Sequence, residues 1–233
     1  MNVRLPFFLV LLSGWLASAC SVPVFRYALE FWDTDTYLLE VRLPAPVPAE
    51  FRQALAAFAA ERPSNVAVRE IKGAGEGAGM SLRFPPGGVV RPPILELPAT
   101  AAGLALVLDS PARAALVEKL LAGDTAVFLL LESGDADSDR AARERLDRIL
   151  RDLEKTLELP PQPEEEAAAV DEPRGGGPEL AIRFSVVPVR RDDPREQVLV
   201  RSVLATESDL HVLSGPMFVP VVGRGRARYA VGD

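Results

Sequence analysis

The pattern of apolar and polar positions predicts alternating strands and helices in the first half of the chain. Tyr37 to Leu43 carries an apolar side chain at every second position, which is typical of a strand with one buried face. Phe51, Leu55 and Phe58 instead fall on one face of a helix. The predicted elements are a strand at 37–43, a helix at 48–61, strands at 65–71, 80–84 and 93–97, and a helix at 101–121 broken near Ser110-Pro111.

The same order of elements starts again at Thr125. Thr125 to Leu131 is apolar throughout, as expected of a central strand covered on both faces. Ser138 to Leu159 is the strongest helical pattern in the chain, and its apolar stripe consists of Leu146, Ile149, Leu150, Leu153 and Leu157. The pattern then predicts a strand at 180–189, a helix at 194–206, a strand at 217–222 and, after a glycine-rich turn, a strand at 227–231.

Strand, helix, strand and two hairpin-like strands occur twice, near 37–97 and 125–231, and this order resembles the thioredoxin-like fold. The resemblance implies an α/β protein with two tandem thioredoxin-like βαβ-ββ domains, at 37–122 and 123–233. Residues 160–178 are acidic and of low complexity, which predicts a disordered loop in the second domain. A loop this long is unusual inside a domain, so the segment is alternatively the domain boundary itself.

The amino terminus has the pattern of an export signal. Arg4 precedes an apolar run from Leu5 to Leu16, and small residues lead up to Cys20. The junction resembles a bacterial lipobox, in which the cysteine receives a lipid and becomes the first residue. We predict a signal peptide at 1–19 and a lipidated tether at 20–36. The lipid on Cys20 would anchor the protein to a membrane of the bacterial cell envelope, facing the periplasm.

Two other interpretations of this end stay open. Cleavage after Ala19 would release a soluble protein, and the 21 uncharged residues from Leu5 to Phe25 could span a bilayer of about 30 Å without being cleaved. In the lipidated form Ser21 would follow the anchor. Among lipoproteins a residue other than aspartate at this position implies sorting to the outer membrane, which we therefore favour slightly.

Three further segments resemble a group of uncharacterised exported bacterial lipoproteins. They are Pro23–Glu30, Leu130–Asp135 and Gly223–Arg226. The resemblance implies tandem thioredoxin-like domains that lack a C-x-x-C motif, and it implies no activity.

Composition excludes several functions. The 26 basic residues stand against 33 acidic ones, and a net charge of −7 offers no basic surface for nucleic acid. One cysteine and one histidine exclude a disulfide framework and most zinc sites. Thioredoxin-type catalysis needs a reactive cysteine at the start of a helix, and the loops at Pro44–Val47 and Glu132–Asp137 contain no sulfur.

Three motifs point to ordinary structural roles. Asp135, Asp137 and Asp139 alternate like the start of a calcium loop, but the motif fails beyond them, so we predict a helix cap at Asp137 or Ser138 and no metal. Gly73–Ala78 fits a relaxed dinucleotide fingerprint without the helix that should follow it. His211 has no nucleophile setting, which predicts a surface histidine.

Arg224, Arg226 and Arg228 form a local positive cluster on the last predicted strand. Alternate residues of a strand share one face, so these arginines could dock an acidic partner or lipid headgroups. The simpler interpretation is an edge strand protected from unwanted pairing by its charges.

Together these observations predict a lipid-anchored, non-catalytic binding or assembly protein of the cell envelope, without cofactor, whose partners are the membrane and another envelope protein. One alternative is a degenerate thioredoxin-fold oxidoreductase or peroxidase partner, or a small transferase, which needs a polar pocket around Glu132–Asp139. A second alternative is a periplasmic solute-binding accessory, which needs a cleft between the two domains.

The anchor prediction is testable by mass spectrometry of the protein recovered from bacterial membranes. We expect the mature chain to begin at an acylated Cys20, and the Cys20→Ser variant to lose both the lipid mass and membrane association. A mature protein that starts at an unmodified Ser21 or Val22 would contradict the prediction.

Overall fold

The computed structural model describes residues 34–43, 46–60, 65–71, 77–87, 91–159, 181–223 and 225–227, together with the backbone of 231–232. The predicted signal peptide, Cys20 and nearly all of the tether lie outside the described residues, as does the predicted loop at 160–178. Residues 35–233 form one unit by their contacts.

The first half of this unit contains four strands and three helices. In chain order they are β1 (Tyr37–Arg42), α1 (Ala49–Ala60), β2 (Val66–Glu70), β3 (Gly79–Arg83), β4 (Leu95–Leu97), α2 (Ala101–Leu108) and α3 (Pro111–Leu121). The predicted break between α2 and α3 is confirmed: Pro111 opens α3, and the Ser110 hydroxyl caps it by accepting from the Arg113 amide at 3.1 Å.

The second half repeats the alternation. It contains β5 (Ala126–Glu132), α4 (Ala136–Thr156), β6 (Phe184–Arg190), a 3₁₀ turn (Pro194–Glu196), α5 (Gln197–Leu204), a second 3₁₀ turn (Leu210–Val212), β7 (Met217–Val222), β8 (Arg226–Ala227) and β9 (Val231–Gly232). Of the strand predicted at 227–231, the described residues contribute to β8 and β9, and both of these strands pair with β7.

The strands form two mixed sheets with the same order. The first is β2-β1-β3-β4 and the second is β6-β5-β7-β8, with β9 also paired to β7. In each sheet the first two strands are parallel and are joined through a helix, whereas the later strands are antiparallel. The protein is therefore α/β, as predicted.

The first sheet buries one face against helices. Leu39 and Val41 point to this face and are fully buried, together with Phe51 of α1 and Val107 of α2. Val198 of α5 joins the same core, so a helix from the second half also covers the first sheet. The alternation in Tyr37–Leu43 thus correctly predicted a strand with one buried apolar face.

The other face of the first sheet carries a charged group that joins three strands. Glu40 on β1 is 7% exposed, and its carboxylate accepts hydrogen bonds from Arg83 on β3 at 2.6 Å and from Arg69 on β2. Burial raises the pKa of Glu40, but the hydrogen bonds and charges of Arg83 and Arg69 outweigh burial and leave the pKa below its ordinary value. The pairs fix the lateral alignment of β2, β1 and β3.

The second sheet is covered on both faces, which confirms the prediction from the apolar run. Leu146 and Leu150 of α4 pack on one face, against Leu130. Helices α3 and α5 pack on the other face, and this core contains Leu116, Val200, Val203 and the fully buried residues Val127, Leu131 and Met217. The predicted stripe on α4 is wider than the sheet covers, since Ile149 is 50% exposed and Leu157 is 47% exposed.

A buried carboxylate joins α3 to the segment that follows β6. Glu196 is 4% exposed, and its Oε2 accepts from the Ser110 hydroxyl at 2.6 Å while its Oε1 accepts from the Ala112 amide at 2.8 Å. The amide belongs to the first turn of α3, where a negative charge also meets the positive end of the helix dipole. Residues 86 positions apart are thereby held together by a direct hydrogen bond.

We predict that Glu196→Ala lowers the free energy of unfolding by about 2–3 kcal/mol, because it leaves a buried hydroxyl and a buried amide without their acceptor. Urea denaturation of the wild type and the variant measures the difference. The matched control is Glu207→Ala at an exposed position, which should change stability by less than about 0.5 kcal/mol. Equal effects of the two substitutions would contradict this role of Glu196.

Candidate functional site

A cleft of about 600 Å³ opens where β5 and β6 end. The carboxyl ends of parallel strands meet at this edge, and α4 begins beside it, which is where open α/β sheets commonly bind ligands. The side chains that line the cleft are mainly charged, and they include Glu132, Asp139, Arg140, Arg143, Arg190, Arg191 and Asp192. The cleft lies around Glu132–Asp139, the place where the enzyme alternative needs a pocket.

The loop at the floor of the cleft is held by one carboxylate. Asp139 accepts from the Ser133 amide at 2.7 Å, from the Ser133 hydroxyl at 2.8 Å and from the Gly134 amide at 3.1 Å. Gly134 has a φ of +94°, which a side chain would strain. The hydrogen-bonding groups of the loop therefore face Asp139.

Glu132 is the carboxylate of the cleft that has the fewest partners for its charge. It ends β5, and within the described part of the chain no hydrogen bond or ion pair reaches its carboxylate. Burial raises the pKa of Glu132, and the charges of Asp139 and Asp192 add to this, while Arg190 and Arg143 oppose it. The result is a carboxylate that holds its proton to a higher pH than an ordinary glutamate.

The arginines of the cleft are largely occupied by neighbours. Arg190 donates to both oxygens of Asp192, at 2.8 and 3.0 Å, and Arg143 donates to both oxygens of Asp147 at 3.0 Å. Arg191 donates to the backbone carbonyls of Leu213 and Gly215 and so holds the loop before β7. The cleft therefore presents a preset pattern of paired charges.

The acidic motif at the start of α4 is a cap, but a different residue forms it than predicted. The N-cap is Asp135, whose carboxylate accepts from the Ser138 amide at 2.8 Å, and neither Asp137 nor Ser138 caps the helix. Asp137 pairs with Arg140 at 2.6 Å, so the three aspartates serve three different partners. Among the described residues no group of three or more His, Cys, Asp or Glu side chains can hold a metal ion.

The predicted arginine surface falls only partly within the described residues. Arg226 lies in β8 at one edge of the second sheet, while Arg224 and Arg228 lie outside the description. Arg190 lies in β6 at the opposite edge of the same sheet. Arg190 and Arg226 therefore do not lie on a common edge.

Two other motifs have the ordinary structural role that the sequence predicted. His211 lies exposed in a 3₁₀ turn. The described end of the Gly73–Ala78 loop leads into strand β3, so no helix follows to bind a pyrophosphate.

A second cavity, of about 320 Å³, lies between the two sheets. Its walls come from both cores, and they include Leu82 and Val107 of the first and Leu129 and Val203 of the second. Sequence reasoning gave no signal for its polar residues, because Tyr37 and Arg113 are brought together only by tertiary packing.

No family model, curated protein or solved structure matches the chain. Among the described residues no helix is both long enough and apolar enough to cross a membrane.

We predict that Glu132→Gln stabilises the protein at pH 7.5, by less than about 1 kcal/mol because the side chain is partly solvated. The raised pKa means that ionised Glu132 destabilises the folded state above its folded pKa, and that this cost disappears as the pH falls below the unfolded value. Urea unfolding at pH 7.5 and pH 4 measures the change. The control Glu144→Gln alters an exposed glutamate of α4. A gain from Glu132→Gln that is larger at pH 4 would contradict the prediction.

Proposed function

We propose that the protein is a lipid-anchored, non-catalytic binding or assembly component of the bacterial cell envelope, built from two thioredoxin-like domains. Cys20 would carry the anchor, and the cleft at the end of β5 would receive part of another envelope protein. The chain needs no cofactor for this role.

The strand order supports the thioredoxin-like part of the proposal. Each sheet has a parallel βαβ unit followed by antiparallel strands, in the order second, first, third, fourth. This is the arrangement that the sequence pattern implies for both 37–122 and 123–233. The absence of a matching solved structure leaves the likeness as one of topology alone.

The observation that carries the non-catalytic role is the Asp139-bound loop. In the place where this fold would present a reactive thiol, Ser133 and Gly134 donate to Asp139, and the single cysteine of the chain stands at position 20. Arg190 and Arg143 of the cleft are paired with Asp192 and Asp147, and a surface of such charges suits recognition of a complementary polar surface. Recognition of such a surface requires no catalytic turnover.

A site-specific photocrosslinker tests whether the cleft receives a partner. The full-length protein, anchored in cells, carries p-benzoylphenylalanine in place of Arg140, which is exposed beside the cleft. The matched control places the same group at Arg148, which is exposed on α4 and does not line the cleft. We expect one discrete protein adduct from position 140 and none from position 148.

The outcomes separate the parts of the proposal. No adduct from position 140, or the same adducts from both positions, would remove the cleft as the binding surface. An adduct that persists at full yield in the Cys20→Ser background would remove the requirement for the anchor.

The enzyme alternative makes the opposite prediction in solution. Glu132 with its raised pKa is the observation that favours it, since active sites perturb carboxylates in this way. We expect no turnover by the Cys20→Ser protein in insulin-reduction or peroxide assays. Turnover above the buffer background in either assay would overturn the non-catalytic proposal.

The solute-binding alternative is favoured by a different observation, the cavity between the two sheets. Its volume lies at the lower end of the range typical of small-molecule sites, about 300–1,000 Å³.

A further inference from the structure

The cavity between the sheets is apolar over most of its surface, with one cation in its wall. Leu82, Leu116, Leu129, Val198 and Val221 contribute aliphatic side chains from both halves of the unit. Arg113 of α3 lines the same space. A charged group in such surroundings needs partners, because burial without them costs several kcal/mol.

Arg113 lacks a full set of partners within the described part of the chain. One Nη2 hydrogen bond reaches the Val107 carbonyl at 2.7 Å, while the buried Nε has no acceptor. No carboxylate of the described residues lies within 4.0 Å of the guanidinium. The nearby Glu196 is already used by Ser110 and Ala112, and burial lowers the pKa of Arg113. The guanidinium nevertheless stays charged, as arginine does in proteins.

Tyr37 also lines the cavity, and the charge of Arg113 acts on it. Burial and the charge of Asp35 raise the pKa of Tyr37, and the charge of Arg113 opposes this rise. Ser202 of α5 adds a hydroxyl to the lining. Tyr37, Arg113 and Ser202 are thus polar members of a lining that is mostly hydrocarbon.

We infer that this cavity binds a small apolar molecule that bears one carboxylate, with the carboxylate on Arg113. The Nη groups of a guanidinium donate charge-assisted hydrogen bonds to carboxylate oxygens, and no described residue accepts from Nη1 of Arg113. The aliphatic walls bury the rest of the molecule. The inference gives the solute-binding candidate its ligand class and rests on it.

The test compares two ligands of nearly equal shape, 3-phenylpropanoate and 3-phenylpropanamide. Saturation-transfer NMR on the full-length protein in lipid nanodiscs, with empty nanodiscs as the background, gives both dissociation constants. We expect the carboxylate to bind at least about tenfold more tightly than the amide, because only the carboxylate forms a charge-assisted pair with Arg113.

Three variants locate the binding. Arg113→Gln should remove the preference for the carboxylate, and Ser202→Leu should abolish binding of both ligands by filling the cavity. Arg201→Gln changes an exposed arginine that lies on α5 next to Ser202 but does not line the cavity. It should leave the dissociation constants of both ligands unchanged. Thermal unfolding of each variant establishes that it is folded. If Arg113→Gln does not fold, the two dissociation constants of the wild type and the binding by Ser202→Leu still test the inference.

Each of the remaining outcomes contradicts a different part of the inference. Equal affinity for the two ligands would overturn the carboxylate inference while leaving a solute-binding cavity. If neither ligand binds, the carboxylate inference and the solute-binding cavity are both contradicted. The proposed envelope anchor is unaffected by that result. Undiminished binding by Ser202→Leu would place the ligand elsewhere and overturn the inference.

Discussion

The buried carboxylate of Glu196 is the constraint on which the arrangement of the two sheets depends. It completes the cap of α3, and α3 packs on the second sheet while its first turn lies next to α2 of the first half. Without the Glu196 carboxylate, the Ser110 hydroxyl and the Ala112 amide would lose their buried acceptor. A single side chain thus joins the start of α3 to the segment that follows β6.

Strand and helix order could be predicted well because each element carries its own periodic signal. The alternation at Leu39 and Val41 and the unbroken apolar run in β5 each report how many faces of a strand are covered. The pairing of β8 and β9 with β7 was harder to predict, because strands this short carry little periodic signal of their own.

The candidate site was predictable in place but not in detail. The loop at Glu132–Asp139 follows from the strand-to-helix junction, yet the choice of Asp135 as cap depends on where Asp139 is used. Once Asp139 has turned back to bind Ser133, the chain enters the helix two residues earlier than Ser138. The wall of the inter-sheet cavity could not be predicted at all, since Tyr37 and Arg113 come together only through tertiary packing.

The long separation between Ser110 and Glu196 also has a consequence for vectorial folding. When a chain is made from its amino end, the first sheet is complete long before residue 196 emerges, and α3 waits with its first turn unsatisfied. Closing so long a loop is a late and slow event. The first half therefore cannot reach its final packing early, and the nascent protein stays pliable until almost all of its length is available.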